Sequence, residues 1–298
     1  MQLDKTRIVV RERTQVELMD LSLHVLRAYG GRLLATALVG VLPLAIVNHL
    51  LIGWMASPDF YDYGSSFIPF RYLWNMSLLV FLEAPLGTIF ASMYLGLAVF
   101  EERPSWREVF RGVGQTAGQI FICLVLIRGP LAAWLLMGTA WEQPDFTPGE
   151  FSLMLLVCFI ALLRGLRTFL PEIILLERHS WFARNPNAQT LSRRMTVLHA
   201  TINTPLFPRW LIIAIMSVIL TGAIAHGLLF LSGIFLHDWR WNYWMVVVGV
   251  PFSMWLVALY VAVVRFLSYL DVRIRNEGWE VELRLRAEAS RFLSKVTG

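Results

Sequence analysis

Six ionisable side chains stand where the sequence is otherwise apolar: Glu83, Arg128, Arg164, Arg167, Glu172 and His226. In hydrocarbon a charge costs about 2.5–3.5 kcal/mol even on the mildest scale, so each needs a counter-charge, a polar cavity or a path along which its tip can reach the headgroups. These types allow two kinds of chemistry. Carboxylate and guanidinium can neutralise one another between helices, which suggests Glu83 with Arg128 and Arg167 with Glu172. Alternatively, three arginines against two carboxylates leave positive charge over, which suits an anion such as a lipid phosphate or a carboxylate. Arg164, Arg167 and Pro171 fall at i, i+3 and i+7 and so share one helical stripe. Glu172 neutralises only one of these two arginines. Arg164, Arg167 and His226 are therefore the candidate ligand contacts, and Glu83, Arg128 and Glu172 the candidate members of intramembrane ion pairs. The plainer reading of His226 is a packed, hydrogen-bonded ring. Glu83, Gly87 and Ala91 form another stripe, whose small residues allow close helix approach.

The elements that carry these residues follow from composition. Of 298 residues, 57% are hydrophobic and 16% charged, against about 25% charged in soluble domains. That excludes a soluble globular or disordered chain. A spanning helix needs about 20 mainly apolar residues. Six stretches qualify, at roughly Leu33–Met55, Leu78–Phe100, Ala117–Thr139, Ser152–Leu176, Leu211–Leu236 and Tyr243–Phe266. At about 1.5 Å per residue, Arg128 and Arg164 fall near the midplane. The segments 1–32, 101–116, 177–210 and 269–298 hold twenty Lys and Arg, whereas the alternate connections hold only Arg71 and Arg240. By the positive-inside rule both termini are expected in the cytoplasm. The net charge of +5 is thereby accounted for without nucleic acid. Ten of the twelve tryptophans fall near span ends; Trp134 and Trp255 lie deep. Cys123 and Cys158 differ in depth by roughly 16 Å, beyond the roughly 7 Å limit for a bridge, and should be free, buried thiols.

A threefold pattern runs along the chain. Thr14 and Glu17 form a capping box, and Leu18, Leu21, Val25 and Tyr29 then line one face of an amphipathic helix. Ser105 and Glu108 form a second box, and a third polar segment begins near Asn187. A span with a proline follows in each case, at Pro85, Pro171 and Pro251. Three repeated units of surface helix plus hairpin would build a pseudo-symmetric bundle around a polar centre; alternatively, the prolines are those common to membrane helices. The tail from Gly278 interleaves apolar residues such as Trp279 and Phe292 with charges, which suits a helix on an anionic leaflet or a solvated one.

Three segments carry a resemblance. They are Arg13 to Leu44 with its Leu42-Pro43 step, Glu101 to Glu108, and Tyr269-Leu-Asp271-Val-Arg273-Ile-Arg275-Asn-Glu277-Gly-Trp279. Together they resemble the membrane-domain family named after glycerophosphoryl diester phosphodiesterase. The resemblance implies a six-span membrane domain; it implies no phosphodiesterase activity, because this chain has no room for a catalytic barrel.

The expectation is an all-α, six-span protein of a prokaryotic cytoplasmic (inner) membrane. It is a single integral domain, with an amphipathic segment over 1–32, the bundle over 33–268 and an amphipathic tail over 269–298. No GxSxG, HExxH, Walker A or paired-aspartate signature occurs, so the expected role is non-enzymatic, without metal or cofactor. It is a scaffold or partner subunit with lipid-contacting cytoplasmic helices; the alternative is a small transporter or lipid-handling protein with an anion-binding arginine cluster. The partners are membrane lipids and, for a scaffold, other membrane proteins.

Overall fold

The computed structural model describes residues 14–58, 69–99, 104–177, 190–200 and 206–277, and among them the chain is all-helical with no strand. The tail expected on a lipid surface lies outside the described residues. So does the start of the third polar segment near Asn187.

Helix α1 (Gln15–Ile52) is a single helix of 38 residues. Its capping box is formed: Thr14 accepts from the Glu17 N–H, and the Glu17 carboxylate accepts from the Thr14 N–H. Leu18 is buried, and Leu21, Val25 and Tyr29 pack beside it. The sequence suggested a surface helix and a separate span; the two are one continuous rod. Gly30 and Gly31 lower helix propensity by about 1 kcal/mol each but leave no backbone group unpaired, so nothing forces a break.

Helices α2 (Phe70–Gly87) and α3 (Ile89–Ala98) form the next rod, interrupted at Thr88. Helix α4 (Trp106–Gln115) carries the second capping box. Helix α5 (Ala117–Ile120) runs into a π-helical turn, Phe121–Ile127, and α6 (Pro130–Gly138) follows after a break. Helix α7 (Pro148–Leu166) opens with a third capping box, Thr147 with Glu150. Helix α8 (Leu170–Glu172) continues as a π-helical turn, Ile173–Glu177. Then come α9 (Leu191–Ala200), α10 (Leu206–Leu236) and α11 (Val250–Glu277).

Five of these rods are long and apolar enough to cross a membrane: Gln15–Ala56, Phe70–Ala98, Pro148–Gly165, Trp210–Leu236 and Met245–Ile274. The segment Trp106–Gln115 with Ala117–Ile127, bent by 61°, makes a sixth if taken as one. The third and fourth stretches differ from the straight spans read in the sequence, and the cause is local in both. The third breaks at Arg128-Gly129. Gly129 sits at φ +87°, a left-handed conformation that glycine adopts without a Cβ penalty, and Pro130 then starts α6. The fourth stops at Leu166, because Pro171 has no N–H for the Arg167 carbonyl and its ring crowds that oxygen.

These interruptions divide the core in two. One apolar cluster joins Leu18, Leu33, Ile89, Leu124, Phe169, Val263 and Phe266; the other joins Leu44, Tyr72, Leu82, Ile160, Val246 and Trp255. Between them α1, α2 and α11 approach closely. A Cβ on Gly40 would strike the Gly87 carbonyl, and one on Gly87 would strike the Trp255 ring. The stripe of small residues after Glu83 therefore does allow close packing. Helix α10 is the exception in the bundle: 6% of its apolar window is buried, against 33–78% for the other four rods. At the end away from the α1 N-terminus, Arg71 clamps α2 to the start of α7. Its guanidinium donates to both Glu150 oxygens (2.8 and 3.0 Å) and to the carbonyls of Gln143 and Pro144.

Candidate functional site: an arginine-lined cavity

Two buried prolines interrupt rods in the middle of the bundle, and each orphans the carbonyl four residues earlier. For Pro85 that carbonyl belongs to Phe81. Arg164 of α7 donates Nη1 to it and Nη2 to the Leu82 carbonyl (2.7 Å). For Pro171 the orphan is the Arg167 carbonyl, and Arg128 donates Nη2 to it at 2.8 Å. An arginine from a neighbouring segment thus replaces the missing N–H in both cases. The reason is energetic: a buried acceptor without a partner costs about 1–3 kcal/mol.

Capping a carbonyl does not neutralise a guanidinium. Arg128 and Arg164 are 5% and 9% exposed, and among the described residues neither forms an ion pair. Arg164 gains partial compensation from the Phe81 ring, whose centroid lies 4.2 Å from its Cζ. Its Nε is buried with no acceptor. Arg265 of α11 joins the cluster. Its Nε donates to Glu172 Oε1 at 2.6 Å, while its Nη2 is also buried without an acceptor.

Arg128, Arg164 and Arg265 line one partly open cavity of about 540 Å³ between α2, α7, the connection that follows α7, α10 and α11. Along α11 its wall runs from Met254 to Ser268, roughly 21 Å at helical rise. Phe81, Ile213, Val218, Val257 and Val261 make it mainly apolar, and Gln15 and Trp210 stand at one end. Gln15 Nε2 is a third donor with no partner. A mainly apolar chamber with a few convergent donors is the usual construction of a small-molecule site. The donor set selects an acceptor, and the charge selects an anion.

The structure rearranges most of the expected partnerships. Glu83 does not pair with Arg128. Its two oxygens accept from Asn48 Nδ2 (2.7 Å) and Trp134 Nε1 (2.6 Å), because its face of α2 turns toward α1 and α6. Glu172 pairs with Arg265 rather than Arg167. Helix α7 ends before Arg167, so the expected i, i+3 stripe does not extend to it; Arg167 is exposed and reaches the site only through its carbonyl. His226 does not join the arginines either. Its Nδ1 is 2.8 Å from the Gly222 carbonyl on its own helix, and its ring meets Trp241 edge-on, away from the cavity. Of the ligand contacts read in the sequence, only Arg164 lines the cavity, together with Arg128, which was expected to be ion-paired. Cys123 and Cys158 are free as expected, but Cys158 is exposed on the bundle surface.

Arg265 and Gln15 were not anticipated. Arg265 stood one residue from the expected end of the sixth span, where arginine is ordinary; the apolar rod in fact runs to Ile274. A usable signal was the apolar stripe Met254, Val257, Ala258, Val261 that leads into it.

A separate polar knot ties the ends of α8, α9 and α11. Arg194 donates Nε and Nη2 to the two Glu177 oxygens (2.6 and 2.9 Å), the Tyr269 hydroxyl donates at 2.7 Å, and Arg273 lies at 3.9 Å. Burial alone would raise the Glu177 carboxyl, but the hydrogen bonds from Arg194 and Tyr269 and the charges of Arg194 and Arg273 together hold it below its ordinary range. Its contribution to stability is then complete above about pH 4.3 and is lost as pH falls through the lowered folded value. The melting temperature should drop most steeply below that range. Glu177→Gln should melt lower at neutral pH and show a shallower acid limb. An unchanged acid limb in the variant would assign the effect to other carboxyls.

No protein-family model, curated protein or solved structure matches the chain.

Proposed function

We propose that the chain is a multi-pass integral membrane protein that holds an anionic amphiphile in this cavity, and so handles lipid or a lipid-like solute rather than acting only as a scaffold. One observation carries the reading: the guanidinium groups of Arg128, Arg164 and Arg265 line one mainly apolar chamber, and among the described residues Glu172 is the one carboxylate paired with any of them. A purely structural centre would be dry and fully paired. The proposed role is binding or passage. Binding is tested by native mass spectrometry of the chain purified in mild detergent. One anionic lipid should be retained per chain and lost in Arg164→Gln. A lipid-free spectrum, or equal retention of neutral lipid, would argue against this function.

The same proposal sets the chain in a prokaryotic inner membrane with six crossings and both termini in the cytoplasm, supported by the twenty-to-two bias in Lys and Arg. Such a six-crossing plan agrees with the membrane-domain family that the chain resembles. After replacement of Cys123 and Cys158, a single cysteine at Thr190 should resist an impermeant thiol reagent in intact cells, and one at Glu142 should react. Labelling at 190 would reverse the orientation.

A further inference from the structure

We infer that the anionic group held in the cavity is a phosphomonoester carried on a lipid; the inference rests on the binding role proposed above and names its substrate class. Charge comes first. Among the described residues the cavity gathers three guanidinium groups, Arg128, Arg164 and Arg265, and the only carboxylate in contact with them is Glu172. The balance is two positive charges in a mainly apolar cavity within the bundle, where uncompensated charge is costly. A phosphomonoester carries about −1.5 to −2 at neutral pH with three terminal oxygens, whereas a phosphodiester carries a single charge and two.

The donors agree with the charge. Arg164 caps the Phe81 and Leu82 carbonyls, Arg128 the Arg167 carbonyl, and Arg265 meets Glu172, while all three arginines line the cavity; a guanidinium has five N–H donors, more than these contacts use. Hydrogen bonds from guanidinium to phosphate are among the strong, charge-assisted kind. The walls then decide what lies beyond the phosphate. An ammonium headgroup would be repelled by the guanidiniums. A monoester brings nothing more than the phosphate itself, and its tail has an apolar wall of roughly 21 Å along α11 to lie against.

The test uses the full chain, stripped of lipid in detergent and titrated at pH 8 with three probes. These are phosphatidic acid, phosphatidylglycerol of the same acyl chains, and inorganic phosphate. The monoester lipid should bind at least about tenfold more tightly than the diester, and the preference should shrink below about pH 6 as the phosphate takes up its second proton. Inorganic phosphate should neither bind at comparable concentration nor displace the lipid, for want of a tail. Arg128→Gln removes one charge while leaving an amide to cap the Arg167 carbonyl, and should reduce the preference to less than about threefold. Should that variant melt much lower, the pH dependence of the native chain decides instead: a preference unchanged between pH 8 and about pH 5 overturns the phosphomonoester assignment. Equal affinity for the two lipids overturns the phosphomonoester assignment and leaves the cavity an anionic-lipid site. Binding of inorganic phosphate as tightly as the lipid overturns the lipid source. Binding of no probe overturns the amphiphile role itself.

Discussion

Arg164→Ala is expected to lower the stability of the fold by about 1–3 kcal/mol, since it strands the buried Phe81 carbonyl. Pro85 has already deprived that carbonyl of its helical donor, whereas the Leu82 carbonyl, which Arg164 also meets, has Leu86 four residues on in the same helix. The loss should depend on Pro85. Without the proline, residue 85 regains an N–H that can bond the Phe81 carbonyl along the helix. In the Pro85→Ala background, Arg164→Ala should therefore cost at least about 1 kcal/mol less than in the native sequence, a coupling well outside the error expected for independent sites. Thermal melting of the four proteins in one detergent measures it. Additive losses would mean that the arginine does not serve the proline's orphaned carbonyl.

The second large effect belongs to Glu172 and Arg265. Removing one partner of a buried ion pair costs about 3–5 kcal/mol, because the other charge is left in the interior. Glu172 is fully buried and its one protein partner among the described residues is Arg265. Arg265→Ala should therefore reduce yield and melting temperature sharply. Replacing both residues with glutamine removes both charges and keeps hydrogen-bonding capacity, so it should recover most of the loss. If the double variant is as unstable as Arg265→Ala, the pair is not what makes Arg265 matter. By contrast Arg167, exposed and contributing only its carbonyl, should tolerate alanine with a small change.

Much of this site was legible in the sequence as composition and very little of it as pairing. That Arg128, Arg164, Glu83 and Glu172 were buried followed from their place in apolar stretches, and the helical class followed from the lengths of those stretches. Partners did not follow. Spacing along a helix gives the face a residue occupies but not what that face meets, and pairing by opposite charge chose Glu83 for Arg128 when α2 turns Glu83 toward Asn48 and Trp134. The acceptors that Arg128 and Arg164 do use are backbone carbonyls, which carry no charge and have no residue type. Their one mark in the sequence is a proline four positions later. Pro85 and Pro171 were visible as possible repeat features; their second meaning, an unpaired oxygen at Phe81 and at Arg167, needs the neighbouring helix to be placed. The breaks at Gly129 and Arg167 were hidden for a related reason. Hydropathy is blind to them, since an apolar stretch scores alike whether its backbone is straight or broken and capped.

The cavity is the feature that distinguishes a binding protein from a scaffold, and its contents can be seen directly. A density map of the chain in lipid nanodiscs, at a resolution that shows side chains, is the decisive measurement. The proposed function expects non-protein density with its compact, strongly scattering end between Arg128, Arg164 and Arg265, and a tail running beside Val257 and Val261 of α11. A chamber empty of such density, with the three guanidinium groups meeting protein acceptors alone, would contradict it.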